Sequence, residues 1–171
     1  MWPDVANLNA FYNSSLGKMA QREINKKVTS LWPNNANQTV LGLGYAIPYL
    51  SAFYSDSLRV IAAMPCQMGV TKWPKKNRNL ATLVNNLELP FEDLFVDKII
   101  VIHTLEFSEQ IQPLLREMWR ILKPSGKIIF VVPNRRGLWT QFEHTPFGQG
   151  LPYSESQLSH LLLSNMLRPL T

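Results

Sequence analysis

The sequence predicts an α/β protein, a Rossmann-like and mostly parallel sheet with helices on both faces. Two observations predict it. Short apolar runs without alternation, such as Lys98-Ile-Ile-Val-Ile102 and Lys127-Ile-Ile-Phe-Val-Val132, suit strands buried on both faces. Stretches with apolar residues at steps of three and four alternate with these runs. Sheets of this kind take ligands at the carboxyl ends of their strands. That rule points to Gly44–Pro48, Met64–Gln67, Asn85–Phe91, His103–Phe107 and the segment from Asn134 onward.

Taken in order, residues 4–30 read as one helix, with Val5, Leu8, Phe11, Tyr12, Leu16 and Met19 on its apolar face. Trp32-Pro33 and an Asn-rich run to Gln38 break the chain. Thr39–Leu43 is a short buried strand, Gly44–Pro48 a turn, and Tyr49–Tyr54 a short helix. Leu58–Ala63 is a second strand, Pro65–Asn79 a basic loop, and Leu80–Val84 a third strand. After the strand at 98–102, Ser108 is the expected N-cap of a helix whose buried face is Ile111, Leu114, Leu115, Met118, Ile121 and Leu122. Pro113 is tolerated near its start, and Lys123, Pro124 and Gly126 stop it. A loop follows the strand at 127–132, and Ser154 caps a last helix through Leu158, Leu161 and Leu162.

The 171 residues suit one domain: a helical cap over 1–35, a core over 36–133, and a loop with a C-terminal helix over 134–171. Apolar residues make up 46% and charged residues only 17%, which excludes a disordered chain. The net charge of +5 is concentrated in the first half, where residues 1–90 hold nine basic and four acidic side chains. That excess is modest for a nucleic-acid binder and argues against such a partner. Lys72-Trp-Pro-Lys-Lys-Asn-Arg78 reads as a solvated loop before it reads as a phosphate-contacting one. Cys66 is the only cysteine, which excludes an internal disulfide and points to a reducing, cytoplasmic compartment. Cys66 itself reads as an inert small side chain. The uncharged stretch Val28–Ser55 contains too many Asn, Gln and Pro residues for a membrane span. His103, His144 and His160 lack metal-ligand spacing, so no metal is expected.

Four passages resemble the class I S-adenosylmethionine-dependent methyltransferases, in particular bacterial domains of the methyltransferase type 11 kind. Val40-Leu-Gly-Leu-Gly-Tyr-Ala46 stands where that family has its glycine-rich first motif. Leu89-Pro-Phe91 followed by Asp97–His103 is similar to its "LPF … FD, apolar strand, H" passage. Leu115-Arg-Glu-Met-Trp-Arg-Ile-Leu-Lys-Pro-Ser-Gly126 is similar to its "REhxRVLKPGG" helix end, and the strand 128–133 follows as expected. The resemblance implies S-adenosylmethionine as cofactor, contacted by Gly42, Gly44, Tyr45, Ala46, Met64, Asn85, Leu87 and His103. It implies an acceptor side formed by Glu106, Arg135, Arg136 and Trp139, with a small-molecule acceptor. The N-terminal helix would lie over the donor site as a lid, or simply cover a sheet edge.

Five places depart from the family pattern, one of them Ala46, which stands where a glycine is usual and still allows close approach. Gly42 stands where an acid is usual, Pro48 where a glycine is, and the second strand ends in Met64-Pro65 without the acid that binds ribose hydroxyls. Asn85 replaces the acidic adenine contact and can still both donate and accept. The sequence stops at Thr171, just after its last helix, where the family usually adds two more strands, so the expectation is either a shortened sheet or a truncated chain.

His103 is the candidate general base, since an imidazole titrates near neutrality; the alternative is a His that only bonds its own turn. Glu106 is read as a weaker base candidate or a solvent-facing helix cap. Arg135 and Arg136 either grip an anionic acceptor or belong to a solvated loop. Trp139 either lines an acceptor pocket or pins the loop to the core. Three functions follow as expectations: a small-molecule methyltransferase, a methyltransferase-like binding protein that has lost its donor site, and an RNA-binding or RNA-modifying domain.

Overall fold

The computed structural model describes residues 1–137 and 145–170. Five strands, β1 (Thr39–Gly44), β2 (Arg59–Pro65), β3 (Ala81–Val84), β4 (Val96–Ile102) and β5 (Leu122–Val131), form one sheet in the order β3-β2-β1-β4-β5. Every neighbouring pair is parallel. The fold class is therefore the one the apolar runs predict. β1 is central, and all six of its residues are buried, which is why it shows no alternation.

Side chains alternate between two cores. Val40, Ala62, Met64, Ile100 and Ile102 face α1 (Val5–Asn13), α2 (Ser15–Leu31) and the short α3 (Ile47–Leu50). Leu41, Leu43, Ala63, Ile99 and Val101 face α4 (Ile111–Ile121) and α6 (Glu155–Ser164). A further short helix, α5 (Pro146–Gln149), interrupts the loop before α6.

The N-terminal segment is two helices rather than the expected one. Ser14 leaves helical geometry, donates its hydroxyl to the Phe11 carbonyl (2.6 Å) and accepts from Gly17 N (3.0 Å), so it ends α1 and caps α2. The corner is tight enough that a Cβ at Gly17 would collide with the Phe11 carbonyl. A second correction concerns α4. Ser108 closes a 3-10 turn at Leu105–Phe107, and Gln110 precedes the helix without any side-chain cap. Pro113 sits in the first turn, where no intrahelical N–H bond is lost. A third is that β5 starts at Leu122, directly after α4, rather than at Lys127. Ser125 takes a φ of 64°, and the pairing with β4 shifts register between Val96 and Lys98. The Ser154 cap of α6 is present as a full capping box with Gln157.

Two polar networks fix the frame. Lys98 is buried in β4; its Nζ donates to Asn34 O (2.8 Å) and Asn35 Oδ1 (2.7 Å) and lies 5.2 Å from the Trp32 ring centroid. Burial pushes its pKa down. On the other face, the Arg120 guanidinium donates to the carbonyls of Leu89 (2.9 Å) and Phe91 (2.8 Å), to Asp93, and to both oxygens of Glu117. Glu117 also accepts from Leu89 N (2.7 Å). The Leu89-Pro-Phe91 passage and the helix carrying Glu117 and Arg120 are thus two halves of one clamp. Among the described residues no helix is long and apolar enough to cross a membrane.

Candidate active site

β1 ends at Gly44, whose φ is 93°. A Cβ there would collide with the Ile102 carbonyl oxygen and the Thr104 hydroxyl, so glycine is required by close approach to the tip of β4. The two tips are stitched together: Tyr45 N donates to Ile102 O (3.2 Å), and the Thr104 hydroxyl lies 3.3 Å from both Leu43 O and Ile102 O. At Gly42 a Cβ would meet Ala46 Cβ at 2.6 Å and Leu50 Cδ1 at 2.8 Å. The turn into α3 fills the space an acidic side chain would need. Pro48 occupies the first turn of α3, and its carbonyl accepts from Gln21 Nε2 (2.8 Å), tying α2 to α3.

β4 delivers His103, fully buried with a φ of 54°. Its Nδ1 faces Glu106 Oε1 at 3.4 Å, while Glu106 Oε2 accepts from Thr104 N (3.1 Å). Among the described residues neither Nδ1 nor Oε1 closes a hydrogen bond in this geometry; because the Tyr49 hydroxyl donates to the Tyr12 hydroxyl, the Tyr12 proton is the one shared with Nε2, which makes Nε2 the acceptor. Tyr12 of α1 donates its hydroxyl to Nε2 (2.8 Å) and accepts from Tyr49 (3.0 Å). Glu106 is only 2% exposed, which corrects the expectation of a solvent-facing cap. Leu151 N donates to the Glu106 carbonyl (2.9 Å), and Gly150 lies so close that a Cβ would collide with the Glu106 side chain.

Aromatic rings close this end of the sheet. Tyr12 stacks on Tyr45 at 5.5 Å and 19°, stands edge-on to Tyr49 at 6.0 Å, and is itself buried. Phe147 of α5 packs 4.9 Å from the His103 ring and 6.0 Å from Phe11. Burial pushes the Tyr45 phenol up to about 12 and raises Tyr12 and Tyr49 as well, so all three stay protonated at neutral pH. α1 therefore lies across the carboxyl ends of the central strands, with Val5 N bonded to Met68 O (2.9 Å).

The remaining candidates divide. Met64 is fully buried in the core under α1 to α3. Asn85 is exposed at the tip of β3, where its Oδ1 accepts from Leu87 N (3.0 Å) and holds its own turn. Its neighbour Asn86, which the sequence reading passed over, is 2% exposed, and its Oδ1 has no partner among the described residues. Arg135 and Arg136 are exposed; the Arg135 guanidinium turns to the Pro152 carbonyl (3.3 Å), and Asn134 Oδ1 accepts from Arg136 N. They do not contact His103 or Glu106. Trp139 and His144 lie outside the described residues. Tyr12 and Tyr49 were missed because in the sequence they are ordinary members of apolar helix faces; only the fold brings them to His103. The basic side chains of 72–78 are exposed while Trp73 is buried, as a solvated loop requires. Two cavities, of about 390 Å³ beside Trp32, Gln38 and Lys98 and about 420 Å³ beside Arg59, Arg78 and Ala81, lie at the amino ends of the strands, away from this cluster.

Residues 41–130, just over half of the chain, match the family model described as "Methyltransferase domain". No curated protein matches. Among solved structures, an S-adenosylmethionine-dependent methyltransferase from Archaeoglobus fulgidus is 15% identical, with a TM-score of 0.67 over 91% of this chain and 70% of that one. Another from Thermotoga maritima is 17% identical, with a TM-score of 0.60 over 82% and 68%. The cyclase SpnF is 19% identical, with a TM-score of 0.64 over 90% and 58%. With the parallel sheet, the Gly44 turn and the matched motifs together, the chain belongs to the methyltransferase domain family, and its cofactor is S-adenosylmethionine.

Proposed function

We propose that this chain moves a methyl group from S-adenosylmethionine to a small molecule, with His103 taking the proton that the acceptor loses. The observation that carries the reading is the buried His103–Glu106 pair at the tip of β4, with Nε2 turned to a hydroxyl. When bound, S-adenosylmethionine supplies the electrophilic methyl carbon. The chain's own task is to orient, to exclude water and to hold a proton.

The residues present fit such a donor in outline. Three buried polar atoms without a hydrogen-bond partner among the described residues, Asn86 Oδ1, His103 Nδ1 and Glu106 Oε1, lie at or just beyond the carboxyl ends of β3 and β4. In this reading Gly44, Tyr45 and Ala46 cradle the donor's tail, Gly42 packs behind them, and Asn85 to Leu87 meet its base. Met64 offers only apolar contact where the resemblance puts a ribose-binding acid. Each charged hydrogen bond forgone costs roughly 1.5–3 kcal/mol, so two weaken binding by about 10²-fold or more. Calorimetric titration with S-adenosylmethionine tests the proposal: saturable binding at or below millimolar donor supports it, and no binding at that level ends the catalytic version.

A second reading, a methyltransferase fold turned binding protein, draws on Tyr12, Tyr45 and Tyr49 filling the strand tips and on the absence of room for an acid at Gly42. SpnF shows that neighbours of this fold carry other chemistry. Heat stabilisation by S-adenosylhomocysteine would count against it. We also propose a bacterial source, supported by the resemblance to bacterial domains, a cytoplasmic setting, supported by the single cysteine, and a small-molecule rather than nucleic-acid acceptor, supported by the modest net charge.

A further inference from the structure

We infer that Tyr12 holds the place of the methyl acceptor, and that this acceptor is a small phenol. The inference rests on the methyltransferase reading above and names its substrate class.

The Tyr12 side chain is treated by its surroundings as a ligand would be. One face of the ring lies against Tyr45 at 5.5 Å and 19°, and Tyr49 meets it edge-on. The His103 ring closes a third side at 5.8 Å and 60°. At the hydroxyl, Tyr49 donates (3.0 Å) and His103 Nε2 accepts (2.8 Å). Without Tyr12, what remains is an aromatic cradle ending in one donor and one base, both aimed at a single oxygen. An aliphatic alcohol leaves the flat Tyr45 face poorly covered, and a carboxylate or a protonated amine does not match both polar partners.

The plug sits on a short helix that can move as a unit. α1 has nine residues, and only Leu8 and Tyr12 are buried. Helices this short are marginal without tertiary support, and α1 is held by Tyr12, Leu8, half-buried Val5 and Phe11, the Tyr45–Asn9 bond and the Val5–Met68 bond, contacts that it gives up together when it moves about the Ser14 corner. Once α1 swings out, Nε2 and the Tyr49 hydroxyl face the vacated space. In the transfer, the phenol oxygen bonds to the methyl carbon of the sulfonium donor as that carbon's bond to sulfur breaks. The phenolic proton passes to Nε2, and Glu106 balances the imidazolium that forms. The products are an aryl methyl ether, a neutral thioether and one proton, with no oxidant or reductant needed.

The test uses p-cresol, which is the tyrosine side chain itself, and toluene, which lacks the hydroxyl. In calorimetric titrations Tyr12→Ala is expected to bind p-cresol at least about tenfold more tightly than toluene, and Tyr49→Phe in that background to abolish most of the difference. Tyr12→Phe, which keeps the ring and the packing, guards against a misfolded alanine variant; it is expected to bind p-cresol at least about fivefold more tightly than the wild type, because the plug has lost its own hydroxyl bonds. With S-adenosylmethionine present, 4-methylanisole should form. Equal binding of p-cresol and toluene, or donor turnover with small amines but not with p-cresol, overturns the phenol assignment. Preference for p-cresol without any donor binding overturns the methyltransferase reading instead.

Discussion

Gly44→Ala separates a glycine kept for packing from one kept for a ligand. The new Cβ would run into the Ile102 carbonyl and the Thr104 hydroxyl, and the Ile102 carbonyl cannot rotate away. A φ of 93° on a residue with a side chain costs roughly 1–3 kcal/mol. Relief of the clash must open the β1–β4 tips, loosening the Tyr45–Ile102 bond and the Thr104 bonds at roughly 0.5–1.5 kcal/mol each. The sum is about 2.5–7.5 kcal/mol, a fall in Tm on the order of 10 °C for a chain of this size. Gly69→Ala is the control: its φ is 87°, but its Cβ would meet only Val5 Cγ1 at 3.3 Å, so it pays the same backbone cost of about 1–3 kcal/mol and little more. Urea unfolding at constant m-value reads both. If Gly44→Ala loses no more than Gly69→Ala, the strand-tip packing argument is wrong.

Arg120→Lys keeps the charge but not the fork that reaches Leu89, Phe91, Asp93 and Glu117 together. It should cost about 2 kcal/mol in urea unfolding; a loss under about 0.5 kcal/mol would dismiss the clamp. Glu117 is held below the usual carboxylate range by its hydrogen bonds to Arg120 and Leu89 N. Its stabilisation is therefore full above the unfolded value near ~4.3 and fades as pH falls through the lower folded value. Glu117→Gln should trail the wild type by about 1 kcal/mol at neutral pH, a figure reduced for partial exposure, with the gap closing as pH falls below ~4. A gap that widens in acid contradicts this. Tyr12→Phe should speed amide exchange in α1 by about tenfold or more while β1 and β4 keep their protection, since the hydroxyl ties a locally opening element to the core. Uniform acceleration across the sheet would show that α1 is not a separate unit.

The sheet was legible because buried parallel strands write themselves as continuous apolar runs, and 39–43 and 98–102 have few other uses. The α1–α2 break was not, because Ser14 interrupts the helix without disturbing the apolar spacing of Phe11, Tyr12, Leu16 and Met19. The early start of β5 was hidden by Pro124 and Gly126, which read as a stop although the strand runs through them. In the site, His103 was found by its place after an apolar strand. Glu106 was found with the wrong environment, because burial comes from Gly150 and Leu151, more than forty residues along the chain. Tyr12 is ninety-one residues from His103, and no local pattern announces a contact of that range. Arg120's role was half visible: the two motifs it joins were each recognised, but not that they touch.

The measurement that bears most directly on the carboxyl-end crevice is a titration of the isotope-labelled protein with S-adenosylhomocysteine, followed by amide resonances. Saturable shifts sharing one dissociation constant are expected at Gly44 to Ala46, Asn85 to Leu87 and His103, accompanied by changes along α1 as Tyr12 gives way. Silent resonances at millimolar ligand, or shifts confined to Gln38, Lys98 and Lys127 at the opposite ends of the strands, would contradict the account.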